Sequence, residues 1–423
     1  MPTRRQLLRL AAPATAFAAL DRSDVQAETG EDLPAPIRAL RPLTDSTEPI
    51  TVDEHRGRLA RAQGLLAENG LDALLVGPGS GLTYFTGVEW GLSERFFGMV
   101  LTRSGDPTWV TPAFEKERAV EKIRIGSDVR AWEEEASPYR VVAQILKDRG
   151  VSTGRVGIEE RMPFAFSDGI AQEAPAARLA DATAVTAGCR MVKDAHELAL
   201  MRRAGQITRH AHRAVFESLV EGTAIEQARS WCVAAHRRLG VRGGALVLFG
   251  PDAAFPHGTR APHPLRVGDV VLVDGGGRLH GYASDITRTA VFGAPPTDRQ
   301  RRIWDLVRKA QAAAFEAARP GVECQAVDAA ARKVIEEGGF GPGYRYFTHR
   351  VGHGIGLDGH EWPYMVRGNT TMLKPGMTFT DEPGIYVPGE IGVRHEDTLA
   401  VADGRCENLG GPWSGPPDDP ARV

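Results

Sequence analysis

Residues 270–289, VVLVDGGGRLHGYASDITRT, join an apolar run to two aspartates. Val270 to Val273 have the composition of a buried strand, and the run ends on Asp274. Three consecutive glycines then permit a tight turn, and a β segment over 282–292 returns carrying Asp285. Such a hairpin brings two carboxylates together. Close carboxylates repel, so a cation, a shared proton or water has to offset them. Taken alone, the stretch is equally compatible with an ordinary acidic turn.

Further along, residues 349–361 read HRVGHGIGLDGHE and place His349, His353 and His360 among glycines that allow close backbone approach. This is not the helical HExxH zinc pattern, because the glutamate follows the last histidine and the glycines oppose a continuous helix. Glu382 lies in FTDEPGIY (379–386), where Pro383 and Gly384 stop regular structure directly after the acid. Glu396 lies in IGVRHEDTLAV (391–401), and two-residue alternation puts Arg394 and Glu396 on one face while His395 faces away. Asp274, Asp285, Glu382 and Glu396 together with an imidazole form a two-metal inventory. Four carboxylates formally balance two divalent ions. Oxygen-rich ligation suits manganese, and zinc or cobalt is also compatible with it. Two ions about 3.5–4 Å apart lower the pKa of a shared water and stabilise charge on oxygen during hydrolysis. Amide hydrolysis follows, but the same physics serves a phosphate ester.

At 423 residues the chain exceeds one average hydrophobic core, which points to two domains. Residues 54–188 alternate helix and strand signals: helix over 54–69, strands over 72–76, 97–102, 108–111 and 155–159, and helices over 115–123 and 163–173. They predict a small mixed α/β domain. Residues 189–411 open with a helix over 194–219, whose apolar positions recur every three or four residues. Strands bearing the acids follow, with helices over 299–318 and 323–337 between them. Residues 28–53 read as a lead-in with little core, and 412–423 as a loose tail.

Residues 1–27 place Arg4 and Arg5 before an Ala/Leu-rich stretch too short to span a membrane. They predict a signal of the twin-arginine kind and export to a bacterial periplasm, the alternative being a cytoplasmic protein that does not use it. No stable membrane insertion is expected after its removal. The four cysteines are far apart and are read as buried or isolated thiols, with one disulfide as the other reading. A net charge of −3, with scattered arginines, makes nucleic acid a poor partner.

The ordered motifs VDGGGRLHGYASDITRT, HRVGHGIGLDGHE, TDEPGIY and VRHED resemble those of the metal-dependent Xaa-Pro peptidases of the creatinase/prolidase, or pita-bread, family. The resemblance extends over 54–410. It implies an α+β pita-bread catalytic domain behind a smaller α/β domain, two divalent ions, an Xaa-Pro dipeptide or proline-containing peptide as substrate, and a homodimer. It also implies the roles. Asp274 would bind one ion, Asp285 and Glu396 would bridge both, and His353 and Glu382 would hold the other. Glu382 would manage the proton of the attacking water, and His360 would stabilise the tetrahedral oxygen or position the substrate. His257, in FPHGTRAPHP (255–264), and His349 and Arg394 would line the substrate pocket, Arg394 either meeting a carboxylate or orienting Glu396. A dipeptidase is the preferred reading and an Xaa-Pro aminopeptidase the alternative. A non-catalytic binding protein on the same fold would leave the clustered acids without a purpose. His395 departs from the family's usual apolar residue at that place.

Overall fold

The structure, a computed structural model, describes residues 32–259, 262–411 and 415–416. The expected signal, 1–27, and most of the expected tail lie outside the described residues.

The N-terminal domain is built on a six-stranded mixed sheet. Its order is Val129–Trp132, Thr108–Pro112, Gly98–Thr102, Ala73–Val76, Arg155–Ile158 and Arg178–Asp181. The central strand Ala73–Val76 is antiparallel to Gly98–Thr102 and parallel to Arg155–Ile158. Its four residues are all apolar because both faces are covered. Leu74 and Val76 share a core with helices Val52–Glu68 and Ser80–Thr86, whereas Ala73 and Leu75 share one with helices Pro138–Asp148 and Phe164–Glu173. Helix Val52–Glu68 begins at a capping box, in which Thr51 and Glu54 each satisfy the other's backbone N–H.

In the second domain, strand Val270–Leu279 lies between Arg242–Phe249 and Ile286–Val291, antiparallel to both. A second sheet runs in the order Glu361–Met365, Gly352–Gly354, Thr378–Asp381, Asp397–Val401, Cys406–Asn408. Strands Gly384–Val387 and Ile391–Arg394 form a separate ribbon. An antiparallel bridge between Thr287 and Glu396 joins the two sheets. Each sheet has its own pair of helices. Ala195–Ser218 and Ile225–Arg238 share a core with the first, and Asp298–Ala317 and Cys324–Glu337 with the second. This is the α+β pita-bread arrangement, preceded by the smaller α/β domain.

Two local expectations change. The strand that ends on Asp274 in the sequence reading continues through Gly275–Gly277 to Leu279. The turn is His280–Gly281, with φ of 47° and 89°, between the paired residues Leu279 and Tyr282. A two-residue hairpin loop of this type requires positive φ at both positions. The triple glycine instead permits close packing: a Cβ on Gly276 would sit 1.8 Å from the Ser284 carbonyl oxygen, and one on Gly277 would sit 2.9 Å from the His236 ring. The lead-in also contributes to the core. Leu33 and Ile37, around the short helix Ala35–Ala39, are buried with Leu200 and Ile207 of the long helix. All four cysteines are buried and free. Among the described residues no helix is long and apolar enough to cross a membrane.

Two glycine substitutions separate these roles. Gly276→Ala should destabilise by at least about 1–3 kcal/mol, because the obstructing atoms are backbone. Gly57→Ala, on an exposed helical face with open space around it, should stabilise by about 1 kcal/mol. Thermal denaturation of both variants is the check, and equal effects would reject the packing argument.

Candidate metal centre

The candidate ligands converge where the two sheets meet. Asp274 faces Thr287 in register across the first sheet. Asp285 immediately precedes strand Ile286–Val291, and its backbone is held there by Thr398, whose hydroxyl is 3.0 Å from both its nitrogen and its carbonyl oxygen. Glu396 lies at the bridge itself, opposite Thr287. His353 comes from strand Gly352–Gly354, and Glu382 directly follows Thr378–Asp381. Ligand atoms of Asp285, His353 and Glu396, all buried, lie within 4.8 Å of one another. The cluster extends in both directions. His353 Nε2 is 3.2 Å from Glu382 Oε1. The Thr287 hydroxyl lies 2.7 Å from Asp274 Oδ1 and 2.6 Å from Glu396 Oε2, and its one hydrogen serves one carboxyl at a time.

Hydrogen bonding prepares these donors. His353 Nδ1 lies 3.1 Å from the Gly354 carbonyl oxygen, which only accepts, so Nδ1 carries the hydrogen and Nε2 presents a lone pair to the acids. Burial lowers the pKa of His353 to about 3, so the ring is neutral. Burial, followed by repulsion from neighbouring carboxyls, pushes Asp285 and Glu396 well above the usual carboxylate range. Burial also raises Glu382 to about 7. Asp274 moves the other way: burial alone would raise it, but the Arg394 charge and hydrogen bonds with Thr287, Glu396 and Arg394 together outweigh that burial. One buried guanidinium thus opposes four carboxyl groups. A low-dielectric site with that imbalance, three or more oxygen donors and one free imidazole nitrogen fits divalent cations.

The remaining expected residues separate into two groups. Arg394 donates to Asp274 Oδ2, to Thr287 Oγ1 at 3.3 Å and to the Tyr386 hydroxyl at 2.8 Å, and its side chain is only 3% exposed. It orients ligands. His349 gives its Nδ1 hydrogen to the Arg350 carbonyl at 2.8 Å, so its Nε2 accepts from the Tyr386 hydroxyl, also at 2.8 Å. His360 is exposed and stacks on His353 with ring centroids 3.6 Å apart. His257 is exposed too, near enough for its charge to act on both His349 and His360. His395 points to the opposite face and meets the Trp304 ring edge-on at 4.6 Å.

Thr287, Tyr386 and Arg350 complete the surroundings and were not singled out from sequence. Two-residue alternation carries the signal for the first, since Thr287 follows Asp285 by two positions, whereas Tyr386 lies beyond the Pro383–Gly384 break on a separate ribbon and has no such signal. Arg350 is next to His349 in the histidine-rich motif. Its guanidinium covers the Tyr364 ring at 4.2 Å, and its charge acts on His353, His360 and Glu382.

With this geometry in place, comparison with known proteins is decisive. The model of metallopeptidase family M24 matches residues 199–403, and that of the Creatinase/Prolidase N-terminal domain matches 58–192. The chain belongs to metallopeptidase family M24. It is 38% identical to a probable dipeptidase PepE of Mycobacterium tuberculosis over 82% of this chain and 92% of that one. It is 33% identical to an Xaa-Pro dipeptidase of Lactobacillus delbrueckii subsp. lactis over 80% and 92% respectively. Among solved structures, the dipeptidase PepE from Mycobacterium ulcerans superposes with a TM-score of 0.80 at 34% identity, covering 88% of this chain and 98% of that one. An M24 chain with these buried donors is a metal-using enzyme.

Metal binding should release protons. Glu382, raised to about 7, is largely protonated at pH 6 in the metal-free protein and must lose that proton to become a ligand. Mn²⁺ affinity should therefore increase from pH 6 to pH 8. Calorimetric titration at pH 6 in two buffers of different ionisation enthalpy counts the protons. A count of zero would remove the protonated-carboxyl picture.

Proposed function

We propose that the protein is an Xaa-Pro dipeptidase that hydrolyses the bond before a C-terminal proline. The observation that carries this reading is the convergence of the buried Asp285, His353 and Glu396 with the part-buried Asp274 and Glu382 at the junction of the two sheets. Asp274 would hold one ion, Asp285 and Glu396 would be shared, and His353 and Glu382 would hold a second, with manganese the preferred metal. When bound, the two ions make a water acidic enough to attack at neutral pH and draw charge from the scissile carbonyl. Glu382 accepts the proton of the attacking water and passes it to the leaving nitrogen of proline. Its Oε1 accepts from the Thr380 hydroxyl at 3.1 Å, which orients the carboxyl for this exchange. His360, exposed and stacked on His353, would donate to the tetrahedral oxygen.

A dipeptidase also needs a cation for the free carboxylate next to proline. Arg394 is already committed to Asp274, Thr287 and Tyr386. Arg350 fits the task better, because its guanidinium covers the Tyr364 ring beside the cluster and, among the described residues, makes no ion pair. The dipeptidase relatives support the same choice over an aminopeptidase. A homodimer, and export through residues 1–27, complete the proposal.

Product masses from Mn²⁺-loaded protein incubated with Ala-Pro, Gly-Pro, Ala-Pro-Ala and a longer Xaa-Pro peptide test it. Cleavage should be confined to the dipeptides. Efficient release of the first residue from the longer peptides would assign an aminopeptidase instead. Arg350→Met should raise KM for Ala-Pro by roughly tenfold or more, the loss expected for one charge-assisted contact. An unchanged KM would exclude Arg350 as the carboxylate anchor.

A further inference from the structure

Between strands Gly352–Gly354 and Glu361–Met365 runs the loop that ends on His360. On one side the catalytic domain holds its backbone: Ala283 N–H donates to the Gly356 carbonyl at 2.8 Å and Arg278 to the Leu357 carbonyl at 2.5 Å. On the other side the contacts come from the N-terminal domain. Ser80 donates to Asp358 Oδ2 at 2.6 Å, and Arg161 meets Asp358 Oδ1 at 3.1 Å while donating to the carbonyl oxygen of His360 itself at 2.9 Å. Underneath, Arg190 bonds both Asp358 and Glu361, and Lys193 Nζ lies 2.5 Å from Glu361 Oε1. Arg190, Lys193 and Glu361 are buried. Gly356 makes room for this arrangement, because a Cβ there would sit 2.5 Å from Glu361 Oε1 and 2.9 Å from Lys193 Cε.

We propose that this interdomain ion cluster is the device that positions His360, so that the N-terminal domain acts on the reaction through Arg161 and Arg190, which hold Asp358 and Glu361 of the catalytic domain. It rests on the reading of His360 as the group facing the substrate. Buried, mutually bonded ion pairs fix geometry more than they add stability, because desolvation offsets much of their attraction. A fixed geometry is what the histidine requires. His360 is exposed, and its ring stacks on His353. The Arg161 bond to its carbonyl reaches its backbone directly. Arg161, Arg190 and Glu361 are therefore positioning residues.

Arg161 is half exposed, so Arg161→Met should fold normally. The expected result is a fall in kcat of about five- to a hundredfold, with KM and bound Mn²⁺ unchanged. Arg161→Lys should restore part of the loss. Hydrogen–deuterium exchange of residues 355–361 should quicken in Arg161→Met and not elsewhere in the catalytic domain. The deciding experiment is a double-mutant cycle with His360→Ala. If Arg161 acts through His360, Arg161→Met has no further effect on kcat in the His360→Ala protein. Equal losses in both backgrounds, or wild-type kcat in Arg161→Met, would overturn the proposal while leaving the role of His360 intact. Wild-type kcat in His360→Ala alone would overturn the reading of the histidine, and the proposal with it.

Discussion

Two backbone hydrogen bonds, from Thr287 N–H to the Glu396 carbonyl at 3.2 Å and from Glu396 N–H to the Thr287 carbonyl at 3.1 Å, join the halves of the catalytic domain. Each half has its own helices and its own core, so this seam is where they must agree in register. It is reinforced on both faces. On the ligand face the Thr287 hydroxyl lies between Asp274 and Glu396. On the reverse face Arg288 donates to the Glu396 and Thr287 carbonyls and pairs with Asp397, which also accepts from Gln311. A shift of one residue along this seam would exchange the two faces and remove Glu396 from the acids it faces.

That constraint explains how a dense negative cluster is held in a folded protein. The carboxyls sit on strands or at their ends, and ladders and cores some distance away set the positions of those strands, so the repulsion cannot easily be relieved by movement. It is relieved chemically, through raised pKa values, through Arg394 and, by the reading above, through bound cations. The histidines follow the same logic. His349 and His353 each give their Nδ1 hydrogen to a backbone carbonyl and are neutral, with pKa values lowered to about 3 by burial, so each offers a lone pair inward. One lone pair faces the ligands. The other receives the Tyr386 hydroxyl, which in turn accepts from Arg394, so a continuous chain of hydrogen bonds sets the angle of the guanidinium beside Asp274.

Much of this was legible in sequence where one strong pattern governed the structure. Alternation placed Arg394 and Glu396 together and His395 away from them, as the Trp304 contact shows. Long helices were legible through their apolar spacing, and Ala195–Ser218 and Asp298–Ala317 lie close to the expected spans. Short elements such as Ser80–Thr86 and Val129–Trp132 were missed, because four to seven residues carry too little periodicity to stand out. The triple glycine was misread for a physical reason. Local sequence shows that glycine can turn, whereas the need for glycine opposite Ser284 and His236 arises only from tertiary approach. The interdomain ion cluster was hidden for a similar reason, since Arg161, Arg190 and Glu361 are distant in sequence and each resembles an ordinary surface charge until the domains meet.

His395 shows how far the two faces of one strand can differ. Its neighbours Arg394 and Glu396 belong to the charged ligand face, whereas its own ring is fully buried against Trp304. Burial first, and then the nearby charges of Arg288 and Arg308, drive its pKa well below the ordinary histidine value. A neutral imidazole is in effect a flat, moderately polar packing group, which suits a place enclosed by the Trp304 ring. The same arginines that keep it neutral also lie near Asp397, one of them in a direct ion pair. The reverse face pairs Arg288 with Asp397 within the protein, while burial and Asp397 push the neighbouring Asp381 well above the usual carboxylate range. The ligand face gathers four carboxyls around Arg394, and the candidate cation cluster lies on that side of the strand.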